Sequence, residues 1–104
     1  MATDVKKRGK LSDLDVARRV LRDEAAGLMM IAEALDENFV RAVDIMAQVD
    51  GRIIVSGMGK SGHIANKIAA TLASTGTPAQ YVNAAEASHG DLGMVTRDDV
   101  FLAL

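Results

Sequence analysis

Leu14, Leu21, Leu28 and Leu35 recur every seven residues, with Ala17, Ala25, Ile31 and Ala32 between them. Arg18, Arg19, Arg22, Asp23 and Glu33 fall mostly on the other side. An apolar stripe on this period predicts an amphipathic helix. Ser12 stands where an N-cap belongs, its hydroxyl facing the Asp15 amide, with Leu11 and Val16 at the flanking staple positions. Asp36 offers a second cap, and Phe39, Val43, Met46 and Val49 carry the helical period to residue 49. Met29, Met30 and Met46 occupy helical positions and are expected to fill core gaps. So long a stripe serves either packing within the chain or a subunit interface, and the pattern alone does not choose.

At Asp50-Gly51 the pattern changes. Ile53-Ile54-Val55 is β-branched and apolar without alternation, as in a strand covered on both faces of a parallel sheet. Gly57 to Gly62 reads as a glycine-rich loop and His63 to Thr75 as a helix, with Ile64, Ile68 and Leu72 on one ridge. Gly76 suits the position just past that helix, and Pro78 prevents its continuation. Ala79 to Val82 is a second strand, 84–95 a long connection with room for a helical turn, and Val100 to Leu104 a third strand after the Thr96–Asp99 turn. Two helices followed by β-α-β-loop-β predict an α/β chain. Residues 12–104 then form helices (12–49) and the first half of a doubly wound, flavodoxin-like parallel-sheet domain (52–104), preceded by a basic tail at 1–11. With one crossover helix and nothing after the third strand, something further is expected to cover the sheet.

Composition narrows the function. The 104 residues suit one small domain, and 49% hydrophobic content suffices for a core. Lacking cysteine, the chain has neither a disulfide framework nor a thiolate metal site. Its net charge of −2 argues against binding nucleic acid by phosphate neutralisation, and three aromatics make no base-stacking platform. Residues 1–10 are locally basic at +3, which a solvated tail explains. No apolar run approaches the ~20 residues that span a bilayer, and no leader follows Met1, so a cytoplasmic protein without membrane attachment is expected. His63 and His89 stand 26 residues apart, outside any metal-ligand spacing, and neither metal nor cofactor is expected.

Two polar clusters carry the chemistry. Gly57-Met58-Gly59-Lys60-Ser61-Gly62 fits G-x-G-x-x-G between a strand and a helix, where glycines let the backbone approach an anion and helix amides point at it. A dinucleotide site would carry an acidic residue at the end of the second strand, which here is Asn83. A Walker loop would need glycine at Ile54. A small phosphorylated ligand remains, with Lys60 and Ser61 as side-chain partners; the plain alternative is a tight turn whose glycines serve only backbone geometry. The second cluster, Glu86-Ala87-Ser88-His89-Gly90-Asp91, follows the second strand and so lies at the same carboxyl edge, where open α/β sheets bind ligands. His89 is of the type that moves protons to and from a sugar hydroxyl near neutral pH, with Glu86 and Asp91 available to orient it. Its plain alternative is a solvated loop histidine.

Together these segments are distinctive. Gly-Met-Gly-Lys-Ser-Gly-His at 57–63, Ala-Ala-Thr-Leu-Ala-Ser-Thr-Gly-Thr-Pro at 69–78 and Glu-Ala-Ser-His-Gly-Asp-Leu-Gly-Met at 86–94 closely resemble the arabinose-5-phosphate isomerases of the KpsF/GutQ group, in the sugar isomerase (SIS) family. The resemblance implies a five-stranded parallel sheet between helices in a homo-oligomeric enzyme. It also implies interconversion of D-ribulose 5-phosphate and D-arabinose 5-phosphate, feeding synthesis of the lipopolysaccharide sugar Kdo. Lys60 and His89 take the catalytic roles, while Gly57, Gly59, Ser61, Gly62, Glu86 and Ser88 are the expected substrate-binding positions. Family members continue into a serine-rich phosphate loop, a helix carrying glutamates and usually paired CBS modules. This chain is therefore expected to be partial, to bind a pentose 5-phosphate weakly and to turn it over negligibly. Two other readings stand beside the enzyme: a non-catalytic phosphosugar-binding regulatory module, and an oligomerisation piece built on residues 11–49.

Overall fold

The structure, a computed structural model, describes residues 10–104. Most of the expected basic tail, 1–11, lies outside the described residues. The described residues form two units, 10–39 and 40–104.

In the first unit, helix α1 spans Lys10–Ala34, with Asp13 in its opening turn where an acid favours the positive helix end. Ser12 is thus inside the helix and not its cap. Lys10 and Leu11 are themselves good helix formers, and they extend the helix past the residue whose side chain offered a stop. Leu14, Leu21, Leu28, Ile31 and Leu35 are exposed. Met29 and Met30, 64% and 71% exposed, fill no core gap. Helical position decides which direction a side chain faces, not whether another element lies there.

Helix α2, Glu37–Ala47, starts where Asp36 predicts: Asp36 Oδ1 accepts from the Asn38 amide at 2.9 Å, and its carbonyl accepts from Phe39 at 3.0 Å. The helix stops at Ala47, and Met46 and Val49 pack onto the core of the second unit.

Among the described residues, three parallel strands form one sheet in the order β2-β1-β3. Strand β1, Ile53–Gly57, is the centre and is buried throughout, as its unbroken β-branched run predicts. Ile53 and Val55 face helix α3, Lys60–Ser74, through Ala65 and Ala69, whose small side chains let helix and sheet approach closely. Ile54 faces the other way, against Val82 and Ala87, with Met94 and Val95 beside them. Each of Ile53, Ile54 and Val55, fully buried, contributes about 1.5–3 kcal/mol. Helix α3 ends as expected at Gly76, whose φ of 99° lets the Thr77 amide reach the Leu72 carbonyl at 2.9 Å. Strand β2, Ala79–Asn83, leads into the four-residue helix α4, Ala84–Ala87, then a 3-10 turn at Asp91–Met94 and strand β3, Val100–Ala103. On β3 and just beyond it, Phe101 and Leu104 are each 46% exposed.

The amino edge of the sheet is held by a polar clasp. Asp99, its side chain 3% exposed, accepts from the Arg52 amide at 2.7 Å and the Thr96 amide at 2.8 Å. The Arg52 guanidinium lies 3.5 Å from the same carboxylate and also donates to Gln80 Oε1 and to the Met94 carbonyl. These amides hold the Asp99 carboxyl below the usual carboxylate range, Arg52's contributing most. Gly51 fits because a Cβ there would collide with Asp99 Oδ1 and lie 2.8 Å from the Asp98 carbonyl oxygen.

Candidate active site

Strands β1 and β2 end together, Gly57 opposite Asn83, so the turns that follow them share the carboxyl edge. The first turn is shorter than the glycine pattern suggests. Helix α3 begins at Lys60, which leaves Met58 and Gly59 alone outside regular structure and puts Lys60, Ser61 and Gly62 in the helix's opening turn. Gly59 makes this possible with φ 58° and ψ −125°, a conformation that side-chain-bearing residues avoid. It reverses the chain in a single residue.

The flanking glycines work by proximity. A Cβ on Gly57 would lie 2.7 Å from the Ser61 carbonyl carbon and 2.8 Å from its oxygen. One on Gly62 would lie 3.0 Å from both the Gly57 oxygen and Tyr81 Oη. Strand end and helix start are therefore in direct backbone contact. The Gly62 and His63 amides bond to the Met58 and Gly59 carbonyls at 3.3 Å, whereas among the described residues the Lys60 and Ser61 amides have no acceptor. With no side-chain cap on α3, those two donors remain open to an anion.

Next to them lies a cavity of about 320 Å³ lined by Ser56, Gly57, Met58, Ser61, Ala84, Phe101, Ala103 and Leu104. It brings together predicted residues Gly57 and Ser61 with Ala84, two residues before the second cluster. Lys60, Glu86, Ser88 and His89 do not line it. All four are exposed. The Ser88 hydroxyl donates to the Ala85 carbonyl at 2.8 Å, and the His89 amide donates to the Glu86 carbonyl at 2.9 Å. Among the described residues, no side-chain hydrogen bond or ion pair reaches Lys60, Glu86 or His89, so the expected orienting of His89 by Glu86 is not made; the Asp91 side chain lies outside the description.

Asn83, weighed from the sequence only as the non-acidic end of the second strand, has a further part in the structure. Its Oδ1 accepts from the Ala85 amide at 2.9 Å, capping α4 and setting the direction in which the His89 segment leaves the sheet. The signal was present: an asparagine directly before Ala-Ala-Glu is an N-cap pattern. Nothing in the strand context of Tyr81 marks it as a neighbour of Gly62.

Residues 45–104 match the model of the SIS domain. The chain belongs to the SIS domain family. Arabinose 5-phosphate isomerase KdsD of Pseudomonas aeruginosa is 51% identical over 88 residues, covering 85% of this chain and 27% of the relative. Arabinose 5-phosphate isomerase GutQ of Salmonella typhi is 54% identical over 89 residues, covering 86% of this chain and 28% of the relative. The chain thus spans about 27% of the length of the curated relatives it matches. An Escherichia coli CFT073 protein solved in complex with arabinose 5-phosphate superposes with a TM-score of 0.86 at 34% identity, over 92% of this chain and 51% of that one. The expected SIS fold, helices around a parallel sheet, is therefore present, in part of its length. No helix among the described residues is long and apolar enough to cross a membrane.

Proposed function

We propose that this SIS chain forms the phosphosugar-binding edge of an aldose–ketose isomerase acting on arabinose 5-phosphate and ribulose 5-phosphate. The observation that carries the reading is 51–54% identity to arabinose 5-phosphate isomerases over 85–86% of this chain. In this reading the substrate lies along the carboxyl edge, with its anionic groups toward the open Lys60 and Ser61 amides. Isomerisation moves a proton from C2 of the aldose to C1 and passes the hydroxyl proton of C2 to the carbonyl oxygen of C1. The Lys60 ammonium stabilises the enediolate formed between the two steps, and His89 moves the proton that opens the sugar ring. Glu86 and Ser88 contact sugar hydroxyls from the second cluster. The base that takes the C2 proton lies, in this reading, in the part of the relatives that the chain does not span. Self-association belongs to the same reading, supported by the exposed leucine stripe of α1, and sedimentation across a concentration range tests it.

The test is titration of the 104-residue chain with arabinose 5-phosphate, arabinose and inorganic phosphate, followed by amide shifts in ¹⁵N spectra. Arabinose 5-phosphate should shift residues 59–62 and 88–90 and bind more tightly than either part alone, with turnover of ribulose 5-phosphate negligible. Equal response to all three probes, or none to any, overturns the reading.

A further inference from the structure

Residues 84–95 leave β2 at the carboxyl edge and pass over the sheet face opposite α3, since Ala87, Met94 and Val95 all pack around Ile54 and Val82. Their middle, Ser88 to Gly90, is exposed. Inside the segment the hydrogen bonds are short steps: His89 to Glu86 at 2.9 Å, Gly90 to Ala87 at 3.3 Å, Gly93 to Gly90 at 3.0 Å and Val95 to Leu92 at 3.1 Å. Among the described residues, one hydrogen bond ties 84–95 to anything beyond itself and the adjoining Asn83. It runs from Arg52 Nη2 to the Met94 carbonyl, at 2.9 Å. The guanidinium that makes it is itself held, by Gln80 Oε1 on β2 and by the Asp99 carboxylate.

We propose that Arg52 is a positioning residue: from the amino edge of the sheet it anchors the Met94 end of the connection and so fixes where Ser88 and His89 stand at the carboxyl edge. The inference rests on the reading of His89 as part of a phosphosugar site. Its physical basis is the ladder of short bonds, which passes a constraint at Met94 back to Glu86. A planar guanidinium can serve Gln80, Met94 and Asp99 at once because its donors are fixed in one fork.

Arg52→Met tests this with little collateral change, because the Asp99 carboxylate keeps both backbone amides and the β1–β3 junction keeps its turn. Gln80→Ala removes one support of the guanidinium and carries the test if Arg52→Met does not fold. Residue-resolved amide exchange and arabinose 5-phosphate titration are read on the 104-residue chain. In Arg52→Met, exchange at Gly90, Gly93 and Val95 should rise roughly tenfold, the loss of one hydrogen bond to a charged donor. Exchange at Val55 and Val82 should stay within about twofold. Gln80→Ala should show the same pattern at smaller amplitude. On adding the sugar phosphate, the shifts at 59–62 should persist while those at 88–90 shrink and the apparent Kd rises several-fold. Unchanged exchange at 90–95, exchange rising equally across the sheet, or full shifts at 88–90 in the variant each overturn the positioning role. Absence of any shift in the wild-type chain overturns instead the functional reading beneath it.

Discussion

Substituting Gly57 by alanine asks whether the strand-to-helix contact at the site is as close as it looks. The added methyl would sit 2.7 Å and 2.8 Å from the Ser61 carbonyl carbon and oxygen and 3.0 Å from the Gly62 nitrogen, all backbone atoms with no rotamer to turn away. Restoring ordinary contact requires the first turn of α3 to retreat by about 0.7 Å. That retreat is opposed by Ala65 and Ala69, which seat the helix on Ile53 and Val55. Overpacking of this kind costs about 1–3 kcal/mol. It is offset by at most about 1 kcal/mol from the smaller conformational freedom of the unfolded chain. The net is destabilisation of about 1–2 kcal/mol, large beside a typical domain stability of 5–15 kcal/mol. Urea denaturation followed by circular dichroism at one chain concentration reads it as a lower midpoint with an unchanged slope. The same retreat moves the Lys60 and Ser61 amides, so arabinose 5-phosphate shifts at 59–62 should weaken even where the variant is fully folded. A midpoint at or above that of the wild type would refute the argument, because it would mean that α3 yields freely.

Gly59→Ala should cost about 1–3 kcal/mol for a different reason, its positive φ, since nothing lies within 4 Å of the added carbon; the urea midpoint again decides. Gly27→Ala, inside α1 and equally unobstructed, should stabilise the helix by up to about 1 kcal/mol, read as higher ellipticity on heating. Asp99 is held below the ordinary aspartate value of about 3.9 by the Arg52 and Thr96 amides. Its contribution to stability is therefore complete above that value and lost as pH falls through the lower folded one. Urea midpoints measured from pH 7 down to 3 should drop in the acid range for the wild type, while Asp99→Asn should start lower at pH 7 and follow a flatter acid limb. Lys60→Ala should weaken arabinose 5-phosphate binding several-fold while changing the unfolding free energy from urea denaturation by no more than about 0.5 kcal/mol, as suits an exposed side chain.

Where local chemistry decided the structure, the sequence was readable. Ile53-Ile54-Val55 became a central strand buried on both faces, Asp36 capped α2, and Gly76 closed α3. Each of these depends on residues within a few positions of one another. Helix α3 starts three residues earlier than the pattern predicts, because a glycine-rich stretch fits a loop or a closely packed helix start equally well and only the position of β1 tells them apart. Met29 and Met30 are exposed where their helical positions predict burial, because helical periodicity carries no information about neighbouring elements. The Arg52–Asp99 clasp joins residues 47 apart, and no pattern along the chain announces it. Within the candidate site, the glycine motif names Gly57 and Ser61, which line one cavity, whereas no sequence pattern tells that, among the described residues, no side chain bonds to His89.

The two readings of the glycine motif, backbone geometry or anion binding, turn out to be successive steps of one argument. Gly59 supplies the reversal, while Gly57 and Gly62 supply the absence of side chains that lets α3 begin against the end of β1. The residue at the cap position is Gly59, whose positive φ excludes the serine, threonine or aspartate that would cap the helix, so among the described residues its opening amides stay unpaired. The open donors at Lys60 and Ser61 are thus a consequence of the backbone reversal at Gly59. This explains why the spacing of the glycines matters as well as their number: moving either outer glycine by one residue would place a side chain in the strand–helix contact and shift the amides from the edge where the second cluster begins.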